Sequence, residues 1–169
     1  MTGEMRYCMV CGGRLKMKYL QSEGCDIPYC EGCGGFRFPV FSTAVSMVVL
    51  SPDREKYLLI QQYGTPFWRL TAGYINRGED AEHAVRREIM EELGLRTGPI
   101  SFNRSHYYAP SNTLMLNFTA VAESLDVHPN EEVDAWRWFS REEARQNIRP
   151  DSLAQAFLEG YIKGAYPWE

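Results

Sequence analysis

The sequence predicts an α+β fold with a mixed sheet, preceded by a small metal-binding module, and three observations support this. All five cysteines fall between Cys8 and Cys33. Beyond them, strand-like and helix-like patterns interleave without strict strand–helix–strand alternation. The chain has 169 residues, which suits one ordinary domain plus a small module better than two full domains. Apolar residues make up 44% and charged residues 24%, a balance that argues against a disordered or fibrous protein. A net charge of -4 gives no general attraction to polyanions.

The N-terminal ten residues, MTGEMRYCMV, show no basic region followed by an apolar stretch, so no signal peptide is read there. The longest apolar runs, Met47 to Leu50 and Tyr57 to Ile60, fall far short of the roughly 20 residues that cross a bilayer. A cytoplasmic protein with no membrane partner is expected. Asn103-Arg-Ser105 and Asn117-Phe-Thr119 match the glycosylation sequon, and chance is the preferred reading of both.

In the first element, residues 1–38, Cys8-x2-Cys11 and Cys30-x2-Cys33 sit in a repeated unit, Tyr7-Cys-Met-Val-Cys-Gly-Gly13 and Tyr29-Cys-Glu-Gly-Cys-Gly-Gly35, a pattern that resembles a zinc ribbon. Two residues between thiolates let a tight turn aim both sulfurs at one ion, and the glycines that follow permit a left-handed backbone. Four thiolates closing a tetrahedron around Zn²⁺ make a structural site, with disulfides as the competing reading. Cys25 is left over. Arg6, Arg14, Lys16, Lys18 and Arg37 are nearly balanced by Glu4, Glu23, Asp26 and Glu31, a poor phosphate-binding face. A docking or dimerising role is expected of the module, with a homodimer as the candidate assembly.

Residues 39–169 form the second domain. After Pro39, Phe41 to Leu50 reads as a buried strand, Ser51-Pro-Asp-Arg as a turn and Tyr57 to Gln62 as the returning strand. Phe67-Trp68-Arg-Leu70 leads into a glycine-containing loop through Gly73 and Gly78. A helix is expected from about Asp80 to Leu93, stopped by Gly94. Strands follow at about Ile100 to Tyr108, Thr113 to Glu123 and Ala135 to Phe139. Ser140 should cap a short helix, and a last helix runs from about Asp151 to Ile162.

On a wheel of about 100° per residue, Val85, Ile89 and Leu93 form the core-facing stripe, while Glu88, Glu91 and Glu92 crowd its edge instead of the opposite face. Two of these carboxylates stand at the repulsive i, i+4 spacing. Surface salt bridges with Arg86 and Arg87 are the plain explanation. Against it, Arg86 points away on the wheel and one arginine cannot neutralise three glutamates. Mg²⁺ or Mn²⁺ suits such an oxygen-rich cluster, with water and substrate phosphate completing its shell.

Gly73, five residues, Glu79, seven residues, Arg87-Glu88-Ile89, one residue, Glu91-Glu92, one residue, Gly94-Leu95 resembles the signature of the Nudix hydrolases at every defined position. The resemblance covers about residues 39 to 165, with Thr71-Ala72 where many members have Pro-Gly. It implies an α/β/α sandwich and an enzyme that hydrolyses the pyrophosphate of a nucleoside diphosphate derivative. It also implies Glu88, Glu91 and Glu92 as ligands of the catalytic Mg²⁺ or Mn²⁺, with a backbone carbonyl near Ala72 or Gly73. Arg87 resembles the orienting arginine, paired with Glu79. Glu92 or Glu132 is the candidate base, and Glu132, with Glu131 beside it, resembles an additional metal-binding glutamate.

A four-cysteine ribbon before such a domain resembles the NADH pyrophosphatase subfamily. Ser105-His-Tyr-Tyr-Ala-Pro-Ser-Asn-Thr-Leu-Met115 stands where that subfamily has Ser-Gln-Pro-Trp-Pro-Phe-Pro-x-Ser-Leu-Met, so Ser105, an aromatic at Tyr108 and Leu114-Met115 match while the Gln and most of the prolines do not. Pro110, fifteen residues after the signature, resembles the proline of ADP-ribose pyrophosphatases. The expected substrate is therefore a dinucleotide or sugar nucleotide, NAD(H) or ADP-ribose, with NAD-capped RNA as the one nucleic acid kept in view. Ser105, Tyr107, Tyr108 and Pro110 are the candidate substrate contacts. One of the two tyrosines stacks on the base if they occupy alternate faces of a strand, and among the histidines only His106 is placed to touch ligand. The alternative is a non-catalytic nucleotide-sensing or RNA-binding module that uses the ribbon for partner contact.

Overall fold

The computed structural model describes residues 5–168; Glu4, one of the acids counted above, lies outside them. The chain divides into two compact units after Phe41. In the first, β1 (Lys16–Leu20), β2 (Cys25–Cys30) and β3 (Gly35–Phe36) make an antiparallel sheet in that order. One cysteine turn precedes β1 and the other joins β2 to β3, and Gly12 and Gly34, each next to the second cysteine of its pair, have φ of 72° and 67°. An L side chain is disfavoured there, which is why the repeated unit carries glycine at both places.

The second unit contains β4 (Ser42–Leu50), β5 (Tyr57–Gln62), β6 (Thr71–Tyr74), α1 (Ala81–Leu93), β7 (Thr97–Tyr108), β8 (Thr113–Ala122), β9 (Val133–Phe139), α2 (Arg141–Asn147) and α3 (Leu153–Lys163). The strand order is β7-β8-β4-β5-β9, with β6 also paired to β4. β4 runs parallel to β8 along its whole length. Its last two residues pair antiparallel with β5, and its residues 44–47 pair antiparallel with β6. The sheet is therefore mixed, and it forks where β5 gives way to β6.

Alternation along the strands builds two cores. Val45, Met47, Val49, Leu58 and Ile60 face α1 and pack on its Val85, Ile89 and Leu93. Val48, Leu50, Tyr57 and Leu59 face the other way, onto Ala144 of α2 and Phe157 and Leu158 of α3. This is an α/β/α sandwich. Burying a side chain of this size contributes about 1.5–3 kcal/mol, so each layer is tied to the sheet by several such contacts.

Local signals set the helix ends. Gly94 caps α1 with φ of 63° and donates its N–H to the Met90 carbonyl at 3.0 Å. Ser140 and Glu143 form a reciprocal capping box at α2. α3 starts at Leu153, two residues after the expected Asp151, because Ser152 is its N-cap and accepts from the Gln155 amide at 3.1 Å. Thr71–Tyr74 is a strand, where the sequence reads as loop, and Ala109–Ser111 adds an unexpected 3-10 turn between β7 and β8. Four residues that include Ala72 and Gly73 carry no alternation signal, and the hydrogen bonds offered by β4 decide the conformation. Asn117 is fully buried and donates to the Ser46 carbonyl at 3.1 Å, so its sequon has no exposed acceptor in the folded chain. No helix among the described residues is long and apolar enough to cross a membrane.

Candidate functional site

The site is assembled around the C-terminal half of α1. Gly73 of β6 packs so close to the helix that an added Cβ would fall on the Glu88 carboxylate; only glycine leaves Glu88 room. Arg87 then ties the region together. Its Nε and Nη2 donate to the two oxygens of Glu79 at 2.7 and 2.8 Å, Nη1 donates to Glu88 at 2.7 Å and Glu91 at 3.0 Å, and Nη2 also reaches the Tyr74 carbonyl at 3.0 Å. Glu79 also accepts from the Asn76 amide at 2.9 Å. The guanidinium of Arg87 and then that amide hold Glu79 down at about 2. The salt-bridge reading of the acidic cluster is thus right for Glu88 and Glu91. Arg86, as the wheel indicates, turns away and donates to the carbonyls of Thr97 and Gly98.

Glu92 is different. It is 4% exposed and makes no bond to Arg87; its Oε1 accepts from Gln62 Nε2 at 2.9 Å. Oε2 is buried without a hydrogen-bond partner among the described residues. Burial pushes this carboxyl up to about 7, with Glu88, Glu132 and Glu91 adding to the effect and the Gln62 bond opposing it. A buried carboxylate with a bare oxygen and acidic neighbours is a donor set that fits a hard divalent cation.

The loop after β8 closes the site. The carbonyls at the end of α1 accept from this loop, Glu92 O from Asn130 N at 3.0 Å and Leu93 O from His128 N at 2.8 Å. A Cβ on Gly94 would meet the His128 carbonyl at 2.8 Å, so the helix stop and the loop contact rest on the same glycine. Asn130 Oδ1 accepts from the Glu132 amide at 3.0 Å, which carries Glu132 to the cavity. There the Tyr63 hydroxyl lies 3.5 Å from its Oε2.

The resulting cavity of about 480 Å³ brings together Ala72, Gly73, Arg87, Glu88, Glu91, Glu92 and Glu132, with Tyr63, Asn130, Ser111, Thr113 and Met115 completing much of its wall. Glu79 lies behind Arg87, and Glu131 is not part of the lining. Ser105, Tyr107, Tyr108 and Pro110 do not line the cavity either. The first three sit on β7, one strand out from β8, where Tyr108 pairs with Thr113 and His106 with Met115. Tyr107 donates its hydroxyl to Asn112 Oδ1 at 2.6 Å, and both tyrosines are exposed. His106 stacks on Trp168, ring centres 4.1 Å apart.

In the first unit the Sγ atoms of Cys8, Cys11, Cys30 and Cys33 lie within 4.8 Å of one another. Cys8–Cys33 is 3.9 Å and Cys11–Cys30 is 3.5 Å, close to the roughly 3.8 Å separation of four sulfurs about 2.3 Å from one tetrahedral ion. All five cysteines are free thiols. The amides of Cys11 and Val10, with Arg37 assisting, hold Cys8 down at about 6, while the sulfurs of Cys11 and Cys30 push Cys33 up to about 12. Four sulfurs this close resist shedding all their protons unless a cation joins them, which suits a metal.

A family model described as NUDIX domain matches residues 40–157. The chain belongs to the NUDIX family. It is 33% identical to Nudix hydrolase 19, chloroplastic, of Arabidopsis thaliana over 94% of this chain and 39% of that protein. It is 31% identical to the NAD-capped RNA hydrolase NUDT12 of Homo sapiens, over 90% of this chain and 34% of that one. It is 30% identical to the NAD-capped RNA hydrolase NudC of Pseudomonas syringae pv. syringae, over 94% and 56%. The chain therefore spans between about a third and somewhat over half the length of these relatives. A NUDIX hydrolase structure from Nitrosomonas europaea superposes with a TM-score of 0.63 at 20% identity, over 96% of this chain and 95% of that one. The NUDIX domain of Shewanella oneidensis NrtR, complexed with ADP ribose, gives 0.63 at 19% identity over 80% and 93%. These two likenesses show the fold.

Within this NUDIX domain the sequence reading missed Gln62, Tyr63, Asn130, Ser111 and Thr113. Gln62 continues the face set by Leu58 and Ile60 toward α1, yet nothing local marks its amide as the partner of Glu92. Tyr63, at φ of 58°, and Asn130 lie in loops whose course no periodicity reports.

Proposed function

We propose that this chain is a divalent-metal-dependent pyrophosphohydrolase that splits a nucleoside diphosphate derivative, NAD(H) or ADP-ribose, into two phosphate monoesters. The observation that carries this reading is the buried Glu92, its Oε2 unpartnered, in one cavity with Glu88, Glu91 and Glu132. Glu88, Glu91 and Glu92, a carbonyl of Ala72 or Gly73, and Glu132 would hold Mg²⁺ or Mn²⁺. When bound, the ion neutralises charge on the phosphate oxygens and acidifies a water.

The chain's own residues do the rest. Arg87 holds Glu88 and Glu91 on the cavity wall, and Glu79 fixes Arg87 against the 74–79 segment. Glu92 or Glu132 takes the proton of the attacking water as its oxygen bonds to one phosphorus and the bridging P–O bond breaks; the leaving phosphate carries the charge away. Tyr63 and Gln62 orient these two carboxylates. The four cysteines hold a structural Zn²⁺. The likeness to relatives named as NAD-capped RNA hydrolases supports NAD-capped RNA as a further substrate, and Ser105, Tyr107, Tyr108 and Pro110, outside the cavity lining, are the candidate contacts of such a longer substrate.

The test is a panel of NADH, ADP-ribose, a diadenosine polyphosphate and NAD-capped RNA with Mg²⁺ or Mn²⁺, products identified by mass spectrometry. Metal-dependent release of AMP from NADH and ADP-ribose at comparable rates is expected. Binding of these compounds without turnover, with metal present, would replace the enzyme by a nucleotide-sensing module.

A further inference from the structure

The four cysteines of the first unit do not share one environment. Cys8 and Cys30 are buried, whereas Cys11 and Cys33 are exposed. A thiolate at the surface is hydrated, while a buried one depends on protein donors for the same relief. At Cys8 the backbone supplies part of it, through the amides of Cys11 and Val10. One side chain adds to these: Arg37 Nε donates to Cys8 Sγ, the atom that stands for a zinc-bound thiolate, at 3.2 Å. In return the sulfur of Cys8, and behind it that of Cys33, favours the charged guanidinium.

Arg37 is held for this contact by its own neighbours. Its amide donates to the Pro28 carbonyl at 2.7 Å, one residue beyond the pairing of Tyr29 with Phe36, so the β2–β3 register fixes its backbone. Nη1 donates to the Phe36 carbonyl at 2.9 Å, which fixes the guanidinium. Gly35 leaves the space for it, since a Cβ there would meet Arg37 Nη1 at 2.9 Å. The two glycines after Cys33 thus answer different needs. Gly34 is there for its positive φ, and Gly35 for the room it leaves Arg37.

Four thiolates around Zn²⁺ carry two net negative charges. A guanidinium bonded to one sulfur offsets part of that charge without entering the coordination shell, and a charge-assisted bond of this kind is stronger than a neutral one. We propose that Arg37 is a positioning residue of the zinc site, which bonds the Cys8 thiolate from outside the tetrahedron and tightens the hold of the module on its ion. The inference rests on the four-thiolate reading of this module and not on the pyrophosphohydrolase reading.

The test uses the full chain. Zinc affinity is read by competition with a chelating dye, and the Co²⁺-substituted protein reports the sulfur-to-metal charge-transfer band. Arg37→Gln should lower zinc affinity roughly 10–100-fold and move the band to longer wavelength, since a sulfur that loses an N–H donor holds its electrons less tightly. Arg37→Lys, which keeps the charge and loses the planar fork, should recover part of the affinity. Lys18→Gln removes the same charge from a side chain that lies over the Tyr29 ring, 4.3 Å from its centre, and should leave both readings unchanged. Gly35→Ala keeps Arg37 but fills its space, so affinity should fall there too; it carries the comparison if Arg37→Gln does not fold by circular dichroism. Affinity within about twofold of wild type in Arg37→Gln, against the larger loss expected of such a partner, overturns the role of Arg37 and leaves the zinc site in place. An equal loss in Lys18→Gln or an unshifted band does the same. A wild-type chain that binds no zinc overturns the four-thiolate reading and this inference together.

Discussion

Gly73→Ala separates the role of the site from the stability of the fold. The φ of Gly73 is not in the left-handed region, so alanine meets no backbone strain, and the three atoms nearest its methyl all belong to the Glu88 carboxylate. Two movements relieve the conflict. Swinging Glu88 away costs an off-rotamer term of about 0.5–1.5 kcal/mol, plus its bond from Arg87, whose guanidinium keeps Glu79 and Glu91. Lifting β6 instead breaks its four-residue pairing with β4, at about 1 kcal/mol per hydrogen bond, and exposes the buried Thr71. The side chain therefore moves, by more than about 1 Å if normal van der Waals separation is to return. A misplacement of that size costs about 100-fold in turnover, or roughly 2.7 kcal/mol of transition-state stabilisation. The assay is steady-state hydrolysis of ADP-ribose with Mg²⁺, with circular dichroism melting of the same preparations. A folded variant with kcat within threefold of wild type would refute the placement of Glu88 in the metal site.

Three further outcomes are expected. Glu92→Gln should lower kcat by at least about 100-fold, roughly 2.7 kcal/mol, yet leave the metal-free melting temperature unchanged or raised, because it removes a buried charge crowded by Glu88, Glu132 and Glu91; wild-type turnover in this variant would sink the base and ligand assignments together. Protein purified without added zinc should carry about one equivalent by the four-thiolate geometry, and Cys30→Ser should lose it by elemental analysis, whereas a Cys8–Cys11 disulfide under reducing conditions would contradict the site. Arg145 holds the Glu159 carboxyl below its ordinary range, through bonds at 2.8 and 3.1 Å. A lowered folded value means the stabilisation is present above the unfolded carboxylate value and lost as pH falls through the folded one. Glu159→Gln should thus cost about 0.5–1 kcal/mol at neutral pH for this partly exposed pair, and the gap in denaturant midpoint should close below about pH 4; a gap that widens on acidification would reverse the sign.

How much of this was legible depends on the range of each signal. α1 is readable from end to end because its stripe, its carboxylate edge and Gly94 all act within a few residues, and the core puts Val85, Ile89 and Leu93 where the wheel does. β4 and β5 are readable because they bury both faces, a length of apolar chain that little else explains. β6 is not, since its strand character is supplied by β4, more than twenty residues away in sequence. A related rule places the four candidate contacts of the substrate stretch outside the cavity lining. A motif fixes order along the chain, while the β7–β8 register fixes which residues reach the cavity, and it hands that position to Thr113 and Met115, with Ser111 added from the turn between the two strands.

The same contrast explains why the sequence singles out the carboxylates and not the residues bonded to them. Glu88, Glu91 and Glu92 stand out because charge at the edge of an apolar stripe is locally anomalous. Gln62, which orients Glu92 from thirty residues away, is an ordinary residue at the end of an ordinary strand, and Asn130 acts by turning the backbone that carries Glu132. The anomaly also marks where stability is given up: Glu92 occupies a position that would suit an apolar side chain against Ile89 and Leu93, and the fold tolerates a buried carboxyl pushed up to about 7 there. Replacing Glu92 by leucine tests that step directly. Extending the packed stripe should raise metal-free stability while abolishing hydrolysis, and a destabilised Glu92→Leu protein would mean that Gln62, stranded without its acceptor, costs more than the apolar contact returns.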